Sequence, residues 1–219
     1  MTVPTSQDVN HPIFARLYER VSAKEDERGG NRYRAELLNG ASGRVIEVGA
    51  GNGRNFAHYP TGVSRVVAVE PEPRLRASAM RAAATAPVPI EVVAGVADRL
   101  PAQDGVFDVG VASLVLCTVP DPDAALAELR RVIRPGGELR FYEHVVSRRR
   151  GAAVLERVLD ATLWPPLAGG CHLARDTIAA IKRAGFQIES CRRFGFGPSA
   201  LGPQIAHVVG AARRSEEPS

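Results

Sequence analysis

Apolar residues fall along this chain in two alternating patterns. Short runs rich in Val, Ile and Ala at 45–48, 64–70, 90–94, 107–114, 138–144, 187–194 and 205–211 predict seven strands. The run at 107–114 is apolar almost throughout, which predicts a central strand buried on both faces. Between the runs, apolar residues recur at helical spacing. Helices are expected over 72–84, from Asp121 to a stop at Pro135-Gly136-Gly137, around 154–163 and over 176–183. In the second of these, Asp121 supplies a cap and Pro122 fits the first turn, while Leu126, Leu129, Val132 and Ile133 form the apolar stripe. Strands alternating with helices predict an α/β domain with a mostly parallel sheet and helices on both faces.

Two helical patterns precede the first strand and so cannot be crossovers. One starts at His11 and aligns Phe14, Leu17, Tyr18 and Val21. The other, beyond the break at Gly29-Gly30, carries Tyr33, Leu37 and Leu38. With Phe14 and Tyr18 on one face, 1–42 reads as a helical lid or simply an extra layer, and 43–212 as the main domain. The polar stretch 213–219 reads as a disordered tail.

The first strand runs straight into Gly49-Ala50-Gly51-Asn52-Gly53, where a helix N-terminus is expected after the turn. Glycines there admit positive φ and let a ligand approach the backbone, so a nucleotide-type cofactor fits the crevice beyond the strand ends. Spacing narrows the class. A dinucleotide fingerprint wants glycine at the first, third and sixth positions, and counted from Gly49 the sixth is Arg54. Glu70 closes the second strand about twenty residues after the glycines, where a carboxylate can accept both hydroxyls of a ribose.

The Glu47-x-Gly49-x-Gly51-x-Gly53 pattern resembles motif I of class I S-adenosylmethionine (SAM) dependent methyltransferases. Leu129-Arg-Arg-Val-Ile-Arg-Pro-Gly-Gly137 ahead of the fifth strand is similar to a second feature of that class. The likeness goes further. Leu116-Cys117-Thr118-Val119, Glu143-His144-Val145 and Gly170-Cys171-His172-Leu173-Ala174-Arg175 resemble the methyltransferase-like thiol S-methyltransferases. The resemblance implies a Rossmann-like class I methyltransferase fold, a seven-stranded sheet with an antiparallel last strand. It also implies SAM as cofactor and a small-molecule acceptor, most readily a thiol.

On this resemblance, Glu47, Gly49, Ala50, Gly51, Asn52, Gly53, Asn55 and Phe56 surround the cofactor at motif I, with Glu70 and Pro71 at the ribose. Ala97 and Asp98 are expected at the adenine, with Ser113, Leu114 and Val115 at the end of the fourth strand. Phe14, Tyr18, Cys117 and Trp164 are expected to line the acceptor site. His144 and His172 are candidates to handle a proton. Glu143 is an ion-pair partner or a catalyst, and Cys117 lines the methionine pocket or simply packs. A thiol with a pKa near ~8.5 needs less help from a base than a hydroxyl does. Two departures stand out. The membrane-anchoring N-terminal helix of the animal members has no counterpart, and Gln204 stands where relatives carry histidine.

Composition adds bounds. The chain's 219 residues, 45% hydrophobic, suffice for one well-filled domain. Net charge is +4, scattered apart from Arg148-Arg149-Arg150, which argues against a nucleic-acid grip. Cys117, Cys171 and Cys191 are too widely spaced for a metal pair or a disulfide framework, so no metal is expected and a reducing compartment is. With no signal peptide or apolar run long enough to span a bilayer, the protein reads as cytoplasmic. Leu114-Val115-Leu116-Cys117 lacks the Pro-Pro turn of amino-group methyltransferases and the Pro-Cys of 5-methylcytosine enzymes. The remaining alternatives are O- or C-methylation of a phenolic or quinone-like metabolite, and a non-catalytic SAM-binding module. A nicotinamide oxidoreductase is the weakest.

Overall fold

The computed structural model describes residues 12–162, 164, 170–197 and 204–216, with the backbone alone at 12–14, 17 and 150. One seven-stranded sheet forms its centre. The strands are β1 (Gly43–Val48), β2 (Val63–Val69), β3 (Ile90–Val93), β4 (Phe107–Ser113), β5 (Ile133–His144), β6 (Phe186–Phe196) and β7 (Ile205–Arg214). Their order is β3-β2-β1-β4-β5-β7-β6. The pairs β3-β2, β2-β1, β1-β4 and β4-β5 are parallel, whereas β7 is antiparallel to both neighbours. This is the expected sheet with its reversed last strand.

Both faces of the sheet are covered, which explains the unbroken apolar runs. One face packs Leu126, Leu129 and Val132 of α4 (Pro122–Val132) and Ala180 and Ile181 of α6 (Thr177–Arg183) on Ile46, Ala112, Leu139 and Phe141. The other face carries Tyr33, Leu37 and Leu38 of α2 (Asn31–Leu38) and Ala79 of α3 (Pro73–Ala83), against Val45, Val66, Val111 and Val209. Helix starts are capped by acids: Glu72, Asp121 and Asp176 accept from Leu75, Ala124 and Ala179 N–H. Two further helices, α1 (Pro12–Glu25) and α5 (Arg150–Asp160), complete the described elements, with a π-helical turn at Asp26–Gly30 between α1 and α2.

Three expectations are corrected. No α-helix follows the glycine turn. Only nine residues separate Gly53 from β2, Pro60 and Gly62 among them, so the chain makes one 3-10 turn, Phe56–His58, and returns. Pro135-Gly136-Gly137 does not end α4 but bulges out of β5: Phe107 pairs with Ile133, and Val109 already with Glu138. Arg213 and Arg214 belong to β7 rather than to a tail. Arg213 pairs with Glu138 and Glu189, and Arg214 donates to the Arg130 carbonyl. Residues 217–219 lie outside the described residues.

The N-terminal helices differ from one another. Arg34 of α2 is buried, donating to Asp26 Oδ1 (3.1 Å), Asn55 Oδ1 (2.9 Å) and Ser113 Oγ (3.5 Å). Arg140 donates to the carbonyls of Leu37 and Asn39. Helix α2 is thus a fixed layer of the core. Helix α1 is tied from its surface, through Glu19 to Arg74 and Ser78 of α3 and through Ser22 to Asn52.

Candidate active site

The parallel strands β1, β2, β4 and β5 end together, and the residues after them face one crevice. At the end of β1, Gly49 has φ +64°, and a Cβ there would lie 2.3 Å from Val115 Cγ2, so only glycine fits beneath the β4 loop. Gly51 has φ +58°, and a Cβ there would come within 3.2 Å of the Tyr18 hydroxyl. Tyr18 of α1 therefore stands over the turn, and burial pushes its phenol up to about 12 against the nearby Arg34 charge.

Two buried glutamates shape this half. Glu47 accepts from Asn55 Nδ2 (2.8 Å) and from the Tyr59 hydroxyl (2.6 Å). Glu70 accepts from Gly51 N–H (2.7 Å) and Glu72 N–H (2.9 Å). Burial raises each to about 7, although these hydrogen bonds pull the other way. Glu47 faces inward and serves the turn's own architecture. Glu70 holds the turn too, but its carboxylate stands at the strand ends with lone pairs to spare. Phe56 is fully buried under the turn, Ala50 and Asn55 are buried, and Asn52 and Pro71 are partly accessible. Among the described residues Asn52 Oδ1 is a buried acceptor with no donor. Three glycines at positive φ, a carboxylate and an orphaned acceptor fit the ribose and amino-acid ends of SAM. Beyond β3, Ala97 is half-buried and Asp98 exposed, in a turn closed by Arg99 N–H to the Val96 carbonyl.

The other half is built differently. Leu114 has φ +56°, the one non-glycine residue among those described with positive φ, and turns the chain sharply after Ser113. The loop it opens is clamped by Glu143, which is fully buried and forms no salt bridge among the described residues. Its Oε1 accepts from Val115 N–H (3.0 Å) and Leu116 N–H (2.9 Å), and its Oε2 from Cys117 N–H (3.2 Å). Burial raises Glu143 to about 7, with those three donors opposing.

That clamp sets Cys117 beside His144, the last residue of β5. His144 Nδ1 lies 3.5 Å from Cys117 Sγ and 3.1 Å from Cys171 Sγ. Cys117 and Cys171 are both buried free thiols. The Cys117 thiol donating toward Cys171, together with His144, holds the Cys171 thiol well below its usual range despite burial, and the Cys117 thiol is driven up in turn. Burial opposes a charge on His144, but the Cys171 contact and the Glu143 and Glu25 charges together raise the imidazole. His207 of β7 pairs in register with His144, their rings 4.4 Å apart edge to face, and burial lowers it to about 3.

Of the two candidate histidines, only His144 joins this cluster. His172 turns toward Asp160, 3.5 Å from Nδ1 to Oδ2, and is one-third exposed. Its backbone N–H donates to the Cys117 carbonyl (2.7 Å). Asp160 also accepts from Leu173 N–H (2.7 Å) and Ala174 N–H (3.0 Å), and Arg175 donates to the carbonyls of Leu116 and Val119. The segment carrying Cys171 is therefore fastened to the loop carrying Cys117. Trp164 stands beside Cys171, and its indole N–H helps to hold that thiol low. The Phe14 side chain lies outside the described residues.

Sequence reasoning missed Cys171 and His207 as site residues. Wide spacing hid both, and the single available signal was the Gly-Cys-His string at 170–172. Widely spaced in sequence, two of the three cysteines are brought together by β4, β5 and the segment before α6.

A methyltransferase domain family model matches residues 46–141, which span β1 to β5. Thiol S-methyltransferase TMT1B of Mus musculus is 38% identical over 179 residues, 80% of this chain and 72% of that protein. Thiol S-methyltransferase TMT1A of Homo sapiens is 35% identical over 180 residues, 79% of this chain and 72% of that protein. Among solved structures, a SAM-dependent methyltransferase from Thermotoga maritima matches with TM-score 0.70 and 22% identity. The match covers 93% of this chain and 97% of that one. No described helix is long and apolar enough to cross a membrane.

Proposed function

Since the chain belongs to the thiol S-methyltransferase family, within the class I SAM-dependent methyltransferases, we propose that it methylates the sulfur of a small thiol. The observation that carries this reading is the cluster of sulfur and imidazole formed by Cys117, His144 and Cys171 beyond the ends of β4 and β5. Such a polarisable lining suits a soft acceptor better than a phenolate or an amine.

In this reading SAM supplies a methyl group on a cationic sulfonium, and the chain's part is to hold, orient and dry the partners. Glu70 receives the ribose hydroxyls, and the backbone at Gly49–Gly53 admits the amino-acid end, with Asn52 Oδ1 as an acceptor for its ammonium. Ala97 N–H and the Asp98 carboxylate edge the adenine. Ser113, Leu114 and Val115 form the floor toward the methyl group. Tyr18, carried on α1, covers the turn and excludes water, which narrows the lid to α1 rather than all of 1–42. Three free cysteines suit a cytoplasmic setting, where thiols stay reduced.

The test is a mass-spectrometric assay with SAM and matched small thiols, phenols and amines. S-methyl product with no O- or N-methyl product is expected. Methylation of the phenols without the thiols would overturn the sulfur reading.

A further inference from the structure

The cysteine–histidine cluster has a donor geometry that packing alone does not call for. The Sγ atoms of Cys117 and Cys171 and Nδ1 of His144 all lie within 4.8 Å of one another. We propose that these three residues bind one thiophilic divalent ion of the zinc class and leave a coordination position for the acceptor thiol. The second half of this proposal rests on the S-methylation reading.

Distances support it. With Zn–S near ~2.3 Å and Zn–N near ~2.0 Å, a tetrahedral ion separates a sulfur and a nitrogen ligand by about 3.5 Å. The Cys117–His144 separation is 3.5 Å, and the His144–Cys171 separation of 3.1 Å opens to that edge by a small side-chain adjustment. Donor type supports it as well. Two thiolates and an imidazole select a borderline-soft ion over calcium or magnesium, which take oxygen.

The frame is also built in advance. Glu143 clamps the Cys117 backbone, adjacent strands fix Cys117 against His144, and Asp160 and Arg175 fasten the segment bearing Cys171. Three protein ligands with a fourth place open is the pattern of a reactive rather than a structural zinc site.

The chemistry balances. The acceptor R–SH releases its proton to solvent as its sulfur takes the open position. A lone pair of that sulfur then forms the new S–CH3 bond. The bond from methyl to the donor sulfonium breaks, and its electron pair stays on the donor sulfur, now a neutral thioether. The product R–S–CH3 is likewise a neutral thioether, a weaker ligand than the thiolate, and it leaves the ion.

The test uses the full-length, reduced protein, stripped of metal without oxygen and titrated with Co(II). One equivalent should produce the intense sulfur-to-cobalt charge-transfer band and the visible bands of a tetrahedral ion, and Zn(II) should bleach both. A small thiol added without SAM should shift the visible bands. Cys171→Ser and Cys117→Ser should each weaken the charge-transfer band. Zn(II) should also protect Cys117 and Cys171 of the unmutated protein from alkylation, while exposed Cys191 reacts as before. That second measurement decides the matter if a variant misfolds. Absence of the charge-transfer band, or equal alkylation of all three cysteines with and without Zn(II), overturns the site. Thiol methylation that runs equally fast in stripped and zinc-loaded protein overturns the acceptor role and leaves S-methylation standing. Methylation of phenols alone, with the cobalt bands present, overturns the S-methylation reading and the open-position role, and keeps the ion site.

Discussion

The two halves of the crevice are made from different materials. The half at β1 and β2 is a glycine turn and two carboxylates within one short stretch of chain, with Glu70 tied to Gly51 N–H. The half at β4 and β5 is assembled from side chains that stand far apart in the chain, Cys117, His144 and Cys171. In the proposed function the first half, local in its geometry, receives the cofactor, and the second, drawn from several loops, selects the acceptor, as befits the variable part of an α/β enzyme.

The largest expected effect lies in the acceptor half. Glu143→Ala strands the buried N–H groups of Val115, Leu116 and Cys117, and should cost about 3 kcal/mol after the relief of a buried acid is set against them. Thermal unfolding should then fall by roughly 6–12 °C, and thiol transfer should be lost with it. Unchanged melting would mean that the clamp does not hold the loop.

Next in size, Glu70→Ala should weaken SAM binding about 10- to 100-fold, as for a hydrogen-bonded charged group. Calorimetric titration reads this directly. Wild-type affinity would remove Glu70 from the cofactor site and blur the division between the halves.

These two glutamates also mark how far the sequence could be read. Glu70 and the glycines declared themselves because spacing along the chain alone defines their geometry. Glu143 did not, because its role lies in three backbone groups of a neighbouring strand's loop, and no local pattern encodes that pairing. Cys171 stayed hidden for the same reason, until β4, β5 and the segment before α6 came together. Helix and strand periods recovered the sheet, since both faces of its central strands are buried. They failed where short connections override periodicity, after Gly53 and at the β5 bulge.

The smallest expected effect concerns pH and the cofactor half's architecture. Glu47 is held protonated up to about 7 by burial, above the ordinary ~4.3 of a glutamate. Its contribution to stability is therefore complete below the unfolded value and is lost as pH rises through about 7. Between pH 6 and 8.5 the wild type should lose about 1 kcal/mol that Glu47→Gln does not lose. Parallel melting curves for the two proteins across that range would refute the assignment.

The division itself is tested most directly by initial rates measured over a grid of SAM and thiol concentrations, for wild type, Glu70→Ala and Asp160→Ala. Asp160 holds the Cys171 segment through Leu173 and Ala174 and lies on the acceptor side. Glu70→Ala should raise the KM for SAM with the KM for thiol nearly constant, and Asp160→Ala should do the reverse, by about tenfold. If both substitutions moved both constants together, the crevice would be a single cooperative unit and the account of two separable halves would be wrong.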